Sequence, residues 1–190
     1  MIVVKLGGSL SQSGALVKCL NSIEKNYQGR AVVIVPGGGA FADQVRLAQQ
    51  HWEFDDKTAH SMAILAMQQM ALLIKGLKGN FATACSIAEI RTQLHRQKCV
   101  IWSPDIAELE CADIQASWDI TSDSLAAWLA KALVATELIL VKSAMIDASL
   151  SLQQLAKLNI IDKAFCDFVK QATFKIQIIN QQDFSDGGFN

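Results

Sequence analysis

A lysine, two glycines and a serine follow one another at the start of the chain, and together they could bind a phosphate group. Lys5 lies within an apolar run from Ile2 to Leu6 that is typical of a buried strand. A charged lysine there is costly unless an anion meets its ammonium group. Gly7 and Gly8 would let the backbone approach a ligand closely, and Ser9 is placed where a helix could begin and favour anions. A plain strand-to-helix turn, with the lysine at the strand edge, is an equal alternative at this point.

A second glycine turn follows the next apolar run. Residues 31–35 are apolar and mostly β-branched, as in a central parallel strand. Three glycines come directly after this strand and its proline: Gly37, Gly38 and Gly39. Ligands of parallel α/β sheets bind at the carboxyl edge of the strands. We therefore expect both glycine loops to face one crevice, where they could hold two anions such as a nucleotide phosphate and an acceptor.

The second half of the chain adds two acids and a second lysine. Asp119 and Asp123 lie just before or within the start of a clear helical pattern, for which Ser122 and Asp123 are good N-caps. Lys142 ends another buried-strand pattern, so both strand lysines would be satisfied if their strands converge on one polyphosphate. The acids could organise cations or substrate. Alternatively, Asp123 only caps its helix and Asp119 is a solvated turn residue.

Composition narrows the class of protein. The chain has 190 residues, of which 51% are hydrophobic and 18% charged, and its net charge is −1. This balance predicts one compact domain and argues against a nucleic-acid groove or a polybasic membrane patch. Five widely spaced cysteines predict buried free thiols in a reducing cytosol. Without a signal-peptide pattern or a long apolar run, we expect a soluble, cytoplasmic protein. The polar stretch 181–190 is expected to fray.

The longest helical pattern runs from Asp55 to Gly76 and is apolar around much of its circumference. Such a helix lies either deep in the core or at a subunit contact. We therefore predict that it forms part of a homodimer interface. His51 and His60 flank or begin this helix and are expected to be structural or solvent-facing.

Three motifs, taken in chain order, resemble those of the amino acid kinase superfamily, which includes acetylglutamate, aspartate, carbamate, uridylate and isopentenyl phosphate kinases. They are Lys5-Leu-Gly-Gly-Ser9, Pro36-Gly-Gly-Gly39 and Thr121-Ser-Asp-Ser-Leu-Ala-Ala127. The resemblance covers about residues 1–142. It implies an α/β fold, a three-layer αβα sandwich with a mainly parallel central sheet, in a single domain spanning residues 1–190. It also implies that the γ-phosphoryl group of ATP, with Mg²⁺, moves to a carboxylate, carbamate or phosphate.

The resemblance also implies a role for each candidate residue. Lys5 would touch the transferring phosphoryl group, and Asp123 would organise the catalytic lysines. The nucleotide phosphates are assigned to Gly7, Gly8, Ser9 and Lys142, and the acceptor to Gly37, Gly38, Gly39, Asp119 and Ser122. In the acetylglutamate branch, an asparagine four residues before the aspartate holds an acceptor carboxylate. Here that place belongs to Asp119, which would repel a carboxylate and favour an ammonium group.

Two departures from the family pattern bear on catalysis. The family's Thr-Asp motif is replaced by Lys142-Ser143, and the later Gly-Gly-Met…Lys motif, which carries a second catalytic lysine, is not found. Lys142, Lys157 or Lys163 could substitute for that lysine. We interpret the C-terminal nucleotide-binding part as shortened. There are two alternatives to this function. The chain could be a non-catalytic binding or regulatory subunit, or a kinase that acts on an amino-acid carboxylate.

For the acceptor, the chain looks most like short members of the superfamily linked with methanofuran and tetrahydromethanopterin-dependent one-carbon metabolism. The stretches that carry this similarity are Ala59–Met67, Trp118–Asp123, Val141–Ser143 and Ile160–Phe165. The similarity implies an aminomethyl-furan-methyl phosphate as acceptor, converted to a diphosphate. The expected partners are therefore ATP and this small molecule, with no nucleic acid and no membrane.

Overall fold

A six-stranded parallel sheet forms the centre of the protein, seen in a computed structural model that describes residues 1–96 and 98–187. The strands are β1 (Ile2–Leu6), β2 (Val32–Pro36), β3 (Ala82–Ala84), β4 (Cys99–Trp102), β5 (Glu137–Lys142) and β6 (Lys175–Asn180). Their order is β3-β4-β2-β1-β5-β6, and every neighbouring pair is parallel. The predicted α/β class with a parallel central sheet is confirmed.

Helices cover both faces of the sheet. Within the described residues they are α1 (Ala15–Asn26), α2 (Gly39–Trp52), α3 (Asp56–Leu77), α4 (Ile87–Arg96), α5 (Ile106–Cys111), α6 (Ser122–Ala132), α7 (Leu152–Lys157), α8 (Phe165–Phe168) and α9 (Gln181–Ser185). Alternate residues of a strand point to opposite faces. Accordingly, Val3 packs into the core beneath α6, whereas Ile2 and Val4 pack into the core beneath α1. The result is the expected three-layer arrangement.

The middle of the sheet determines where the candidate residues lie. Lys5 is paired in register with Val35 of β2 and Leu140 of β5, one residue before β1 ends. Because all strands run the same way, the glycine loops after β1 and β2 emerge at the same edge. They pack backbone against backbone: a Cβ added to Gly8 would lie 2.3 Å from the amide nitrogen of Gly39. Both glycines are therefore required by this close approach.

Two local predictions differ in part from what the structure shows. The residues after Gly7 form a short 3₁₀ helix (Gly8–Gln12) before α1 begins. Residues 161–171 contain only the short helix α8. The stretch expected to fray forms α9, whose Phe184 is fully buried against α1. Residues 188–190 lie outside the described residues.

The cysteine prediction is partly corrected. All five cysteines lie among the described residues and are free thiols, but only Cys19 is buried. Cys85 and Cys111 are exposed.

In residues 1–96 and 98–187, every helix falls short of the length or the apolarity that crossing a membrane requires.

Candidate active site

A pocket of about 670 Å³ opens at the carboxyl edge of the sheet. Its wall is formed by both glycine loops, α2, α3, the start of α6 and the segment 159–163, with Lys5 and Lys142 at its floor. These elements are far apart in the sequence and meet only because the parallel strands end together. The crevice expected from the sequence is therefore present.

Asp123 lies between the two strand lysines. The Lys5 Nζ is 2.9 Å from Asp123 Oδ1, and the Lys142 Nζ is 2.5 Å from Asp123 Oδ2. The side chains are buried, with exposed fractions of 6% for Lys5, 3% for Asp123 and 12% for Lys142. Each oxygen of one carboxylate thus serves one ammonium group. Lys142, rather than Lys157 or Lys163, is the second lysine of this cluster.

Burial and charge oppose each other in this cluster. Burial acts to raise the pKa of Asp123, but the charges of Lys5 and Lys142 and their hydrogen bonds hold that pKa below its usual value. Burial and the charge of Lys5 lower the pKa of Lys142 to about 8, although Asp123 favours its charged form. Two cations thus share one anion, and little of the three side chains is exposed. A ligand phosphate would supply the missing negative charge.

Asp162 is a site residue that sequence reasoning missed. Its side chain is partly buried, and its carboxylate accepts hydrogen bonds from the amides of Thr121 and Ser124 at 2.8 and 2.9 Å. The Thr121 hydroxyl donates to its other oxygen at 2.6 Å. Burial and the Asp123 charge raise the pKa of Asp162, against the hydrogen bonds that lower it. The available signal was a single acid between apolar residues in Ile160–Phe165, but nothing local indicated its partner.

The glycines of the two loops divide into structural and pocket-facing residues. The amide of Gly7 donates to the Val141 carbonyl at 3.0 Å, and the amide of Gly37 donates to the Leu6 carbonyl at 2.9 Å. The Gly7 amide is therefore engaged by the sheet, which argues against its predicted contact with ATP phosphates.

All the loop glycines except Gly7 line the pocket. Gly37 is among them, although its amide donates to the Leu6 carbonyl. Gly8 and Gly38 line the pocket, and Gly39, also on its wall, is the first residue of α2. The first amides of a helix have no partner within that helix and favour anions.

The other predicted residues lie at the rim or wall. The hydroxyls of Ser9 and Ser143 are 2.9 Å apart and join the turns that follow β1 and β5. Ser122 is buried in the wall of the pocket. Asp119 also lines the pocket, but its carboxylate is 3.1 Å from the ammonium group of Lys163. That pair is more than half exposed, so an entering ligand can compete for Asp119.

Three further side chains on the wall were not predicted. The guanidinium carbon of Arg46 lies 3.8 Å from the centroid of the Trp118 ring, and the Trp118 indole donates to Gln49 at 2.6 Å. His60 also lines the pocket, and its expected structural or solvent-facing role stays a prediction. Its buried Nε2 has no hydrogen-bond partner among the described residues, and burial lowers the pKa of its imidazole. His51 packs against Trp52 at the end of α2.

The acidic residues present do not form a protein-built metal site. In the described parts of the chain, no group of three or more histidines, cysteines or acids is arranged to hold an ion. The Asp123 carboxylate pairs with two lysines, and the Asp162 carboxylate accepts a hydrogen bond from the first turn of α6. This donor set fits Mg²⁺ only as an ion carried mainly by phosphate oxygens and water, which is a common way for proteins to bind it.

Comparison with known proteins places these features in a family. The model of the "Amino acid kinase family" matches residues 1–144. A (5-(aminomethyl)furan-3-yl)methyl phosphate kinase from Methanocaldococcus jannaschii is 30% identical over 141 residues, which are 74% of this chain but only 64% of that relative.

Solved structures of low sequence identity share the fold. Uridylate kinase from Archaeoglobus fulgidus superposes with a TM-score of 0.75 at 20% identity, covering 98% of this chain and 94% of that one. A structure of isopentenyl phosphate kinase superposes with a TM-score of 0.63 at 13% identity, covering 98% and 95% of the two chains.

Proposed function

Because the chain belongs to the amino acid kinase family, we propose that it is an ATP-dependent kinase that transfers the γ-phosphoryl group to a small, phosphate-bearing acceptor. The observation that carries this proposal is the buried cluster in which Lys5 and Lys142 share Asp123. A positive cluster at the carboxyl edge of a parallel sheet, between two glycine loops, is suited to hold phosphate groups. The binding of two phosphorylated molecules there would bring them together for transfer.

The residues of the pocket supply what phosphoryl transfer needs. The reaction requires little covalent chemistry from the protein, so positioning and charge neutralisation are sufficient. Lys5 and Lys142 would neutralise charge on the transferring group, and Asp123 would hold both ammonium groups in place. The Gly8 backbone and the first turn of α2 would hold phosphate oxygens at either side. When bound with ATP, Mg²⁺ would neutralise further charge on the phosphates.

The finer proposal concerns the acceptor, an aminomethyl-furan-methyl phosphate that would become a diphosphate. It is supported by the name of the 30% identical relative, of which this chain covers 64%. It is also supported by the pocket, since Asp119 offers a carboxylate to an amine while the first turn of α2 offers amides to a phosphate. In this view the acceptor amine would replace the Lys163 ammonium group beside Asp119.

Purified protein with Mg-ATP and a small panel of acceptors tests the proposal. The panel contains the aminomethyl-furan-methyl phosphate, the same molecule without its amine, and two carboxylates, acetylglutamate and aspartate. ADP release measures turnover, and ³¹P NMR identifies the product as a diphosphate or an acyl phosphate. A diphosphate supports the proposal, whereas an acyl phosphate indicates an amino-acid carboxylate kinase. A rise in melting temperature with Mg-ATP but no ADP release indicates a binding subunit.

Asp119→Asn then tests the recognition of the amine. If Asp119 pairs with it, the wild-type protein prefers the amine-bearing acceptor, and the variant loses much of that preference in kcat/KM. Asp167→Asn is a matched control, because Asp167 is also an exposed aspartate paired with a lysine, at 2.7 Å from Lys170. An unchanged ratio of kcat/KM values in Asp119→Asn would show that the amine is recognised elsewhere.

A further inference from the structure

Asp162 connects the segment between α7 and α8 to the start of α6. We propose that Asp162 is a positioning residue for phosphoryl transfer: its carboxylate fixes the first turn of α6 and its amide fixes Asp123, so that Asp123 meets Lys5 and Lys142 together. The inference rests on the proposed kinase function but can be tested without turnover.

The first part of the argument is how α6 begins. An α-helix needs acceptors for its first amides, and an N-cap side chain usually supplies one. Here the N-cap residue Thr121 donates its own hydroxyl to Asp162, and Asp162 accepts from the amides of Thr121 and Ser124. The acceptor thus comes from 38 residues beyond Ser124 in the chain. The segment containing Asp162 is thereby tied to the wall of the pocket.

The second part is what this leaves for Asp123, the second residue of α6. An acid in the first turn of a helix is attracted to the free amides of that turn. Here the Ser124 amide donates to Asp162, so it is not free to attract Asp123. The Asp123 carboxylate contacts the two lysines instead. The Asp162 amide also donates to Asp123 Oδ2 at 3.2 Å, the same oxygen that meets Lys142. These contacts restrict the rotation of the Asp123 carboxylate, which must keep one oxygen on each lysine.

The third part is charge. Four charged groups face one another here: Lys5 from β1, Lys142 from β5, Asp123 from α6, and Asp162 from the following segment. The pKa of Lys142 is lowered by burial and by Lys5, and raised by Asp123 and Asp162. Replacing Asp162 with a neutral residue therefore lowers the pKa of Lys142 further. Because the charge of Asp162 acts on Lys142 whatever its role, a variant that keeps this charge, Thr121→Val, is needed to separate positioning from charge.

The variants are Asp162→Asn, Thr121→Val and, as control, Asp167→Asn. Asparagine keeps the size of Asp162 but loses its charge and one acceptor, while valine removes only the hydrogen bond from the Thr121 hydroxyl. Asp167 lies on α8, close in sequence to Asp162, and its exposed carboxylate is bonded to Lys170. For each protein we would measure the melting temperature, kcat and KM. The Lys142 titration would be followed by NMR of ¹³C-labelled lysine, with its signal assigned from Lys142→Met.

For Asp162→Asn we expect kcat to fall about tenfold to a hundredfold, the loss that small misplacements of catalytic groups cause. KM should change little, and Lys142 should titrate at lower pH. Thr121→Val should show smaller changes in the same directions, and Asp167→Asn none. A variant Asp162→Asn that melts earlier but keeps the wild-type kcat and Lys142 titration would reduce Asp162 to a helix cap and overturn the proposal.

Two outcomes keep this inference separate from the proposed function. If Asp162→Asn does not fold, Thr121→Val decides, because a wild-type kcat and titration there would also overturn the proposal. If the wild-type protein has no kinase activity, the kinase function fails while the Lys142 titration still tests the positioning of the cluster. An unshifted titration in Asp162→Asn then overturns the inference by itself.

Discussion

Replacing Lys5 with alanine is expected to lower both turnover and stability. The Lys5 ammonium group is one of two cations that meet the buried Asp123 carboxylate. Removing one partner of a buried ion pair costs about 3–5 kcal/mol in unfolding free energy. Because Lys142 still compensates the Asp123 charge, we expect only the loss of one hydrogen bond between charged groups, about 1.5–3 kcal/mol. For a chain of this size this corresponds to a fall of roughly 3–12 °C in Tm.

The expected effect on the reaction is larger. Losing one charge-stabilising donor in a preorganised site lowers the rate by about 10²–10³. The assay is ADP release with Mg-ATP and the phosphate acceptor, run well below the lowered Tm found by calorimetry. Lys78→Ala is the control, since Lys78 is also largely covered and pairs with Glu24, but it lies outside the pocket. It should keep wild-type turnover.

Three results would count against the reasoning about Lys5. Near-wild-type turnover of the folded Lys5→Ala variant would remove Lys5 from the chemistry. An unchanged Tm would show that its ion pair with Asp123 contributes nothing to folding. Equal losses of turnover in Lys5→Ala and Lys78→Ala would indicate that the assay reports stability rather than the site.

Three further predictions follow from the pocket and its surroundings. Since the pKa of Lys142 is about 8, kcat/KM should fall as pH rises through that value, because the amine loses its charge. In Lys142→Arg this fall should occur at higher pH, and if it stays at the same pH another group is responsible. Gly8→Ala should lower stability and activity, because its Cβ would lie 2.3 Å from the Gly39 nitrogen. Gly76→Ala, where an added Cβ meets no described atom within 4 Å, should be stabilising by about 0.5–1 kcal/mol, and equal melting temperatures would contradict this. The exposed leucines of α3 should form a homodimer contact, so light scattering should report a dimer for the wild-type protein and a monomer for Leu72→Glu. A wild-type protein that is monomeric at micromolar concentration would contradict this prediction.

The strands and the ligand edge of this protein were readable from the sequence. Short apolar, β-branched runs predict buried strands because both faces of a central parallel strand are covered, and this property is local. The strands that lead to the pocket, β1, β2 and β5, were found where their apolar runs predicted them. A glycine turn after each of two such strands then predicts one shared crevice, because parallel strands end at the same edge. The choice of Lys5 and Asp123 as neighbours came from a family resemblance to their motifs.

Only the tertiary structure decided which groups meet in that crevice. The sequence did not choose among Lys142, Lys157 and Lys163 as the second catalytic lysine, but of the three only Lys142 lies on a strand paired with β1, so its ammonium group reaches Asp123. The partner of Asp162 lies about 40 residues away, and no local pattern encodes a contact over that distance. The Gly7 amide, expected at a phosphate, is engaged because the register of β1 and β5 brings the Val141 carbonyl to it. Local propensity selects strands and helices, whereas register and packing between them decide which side chains face one another.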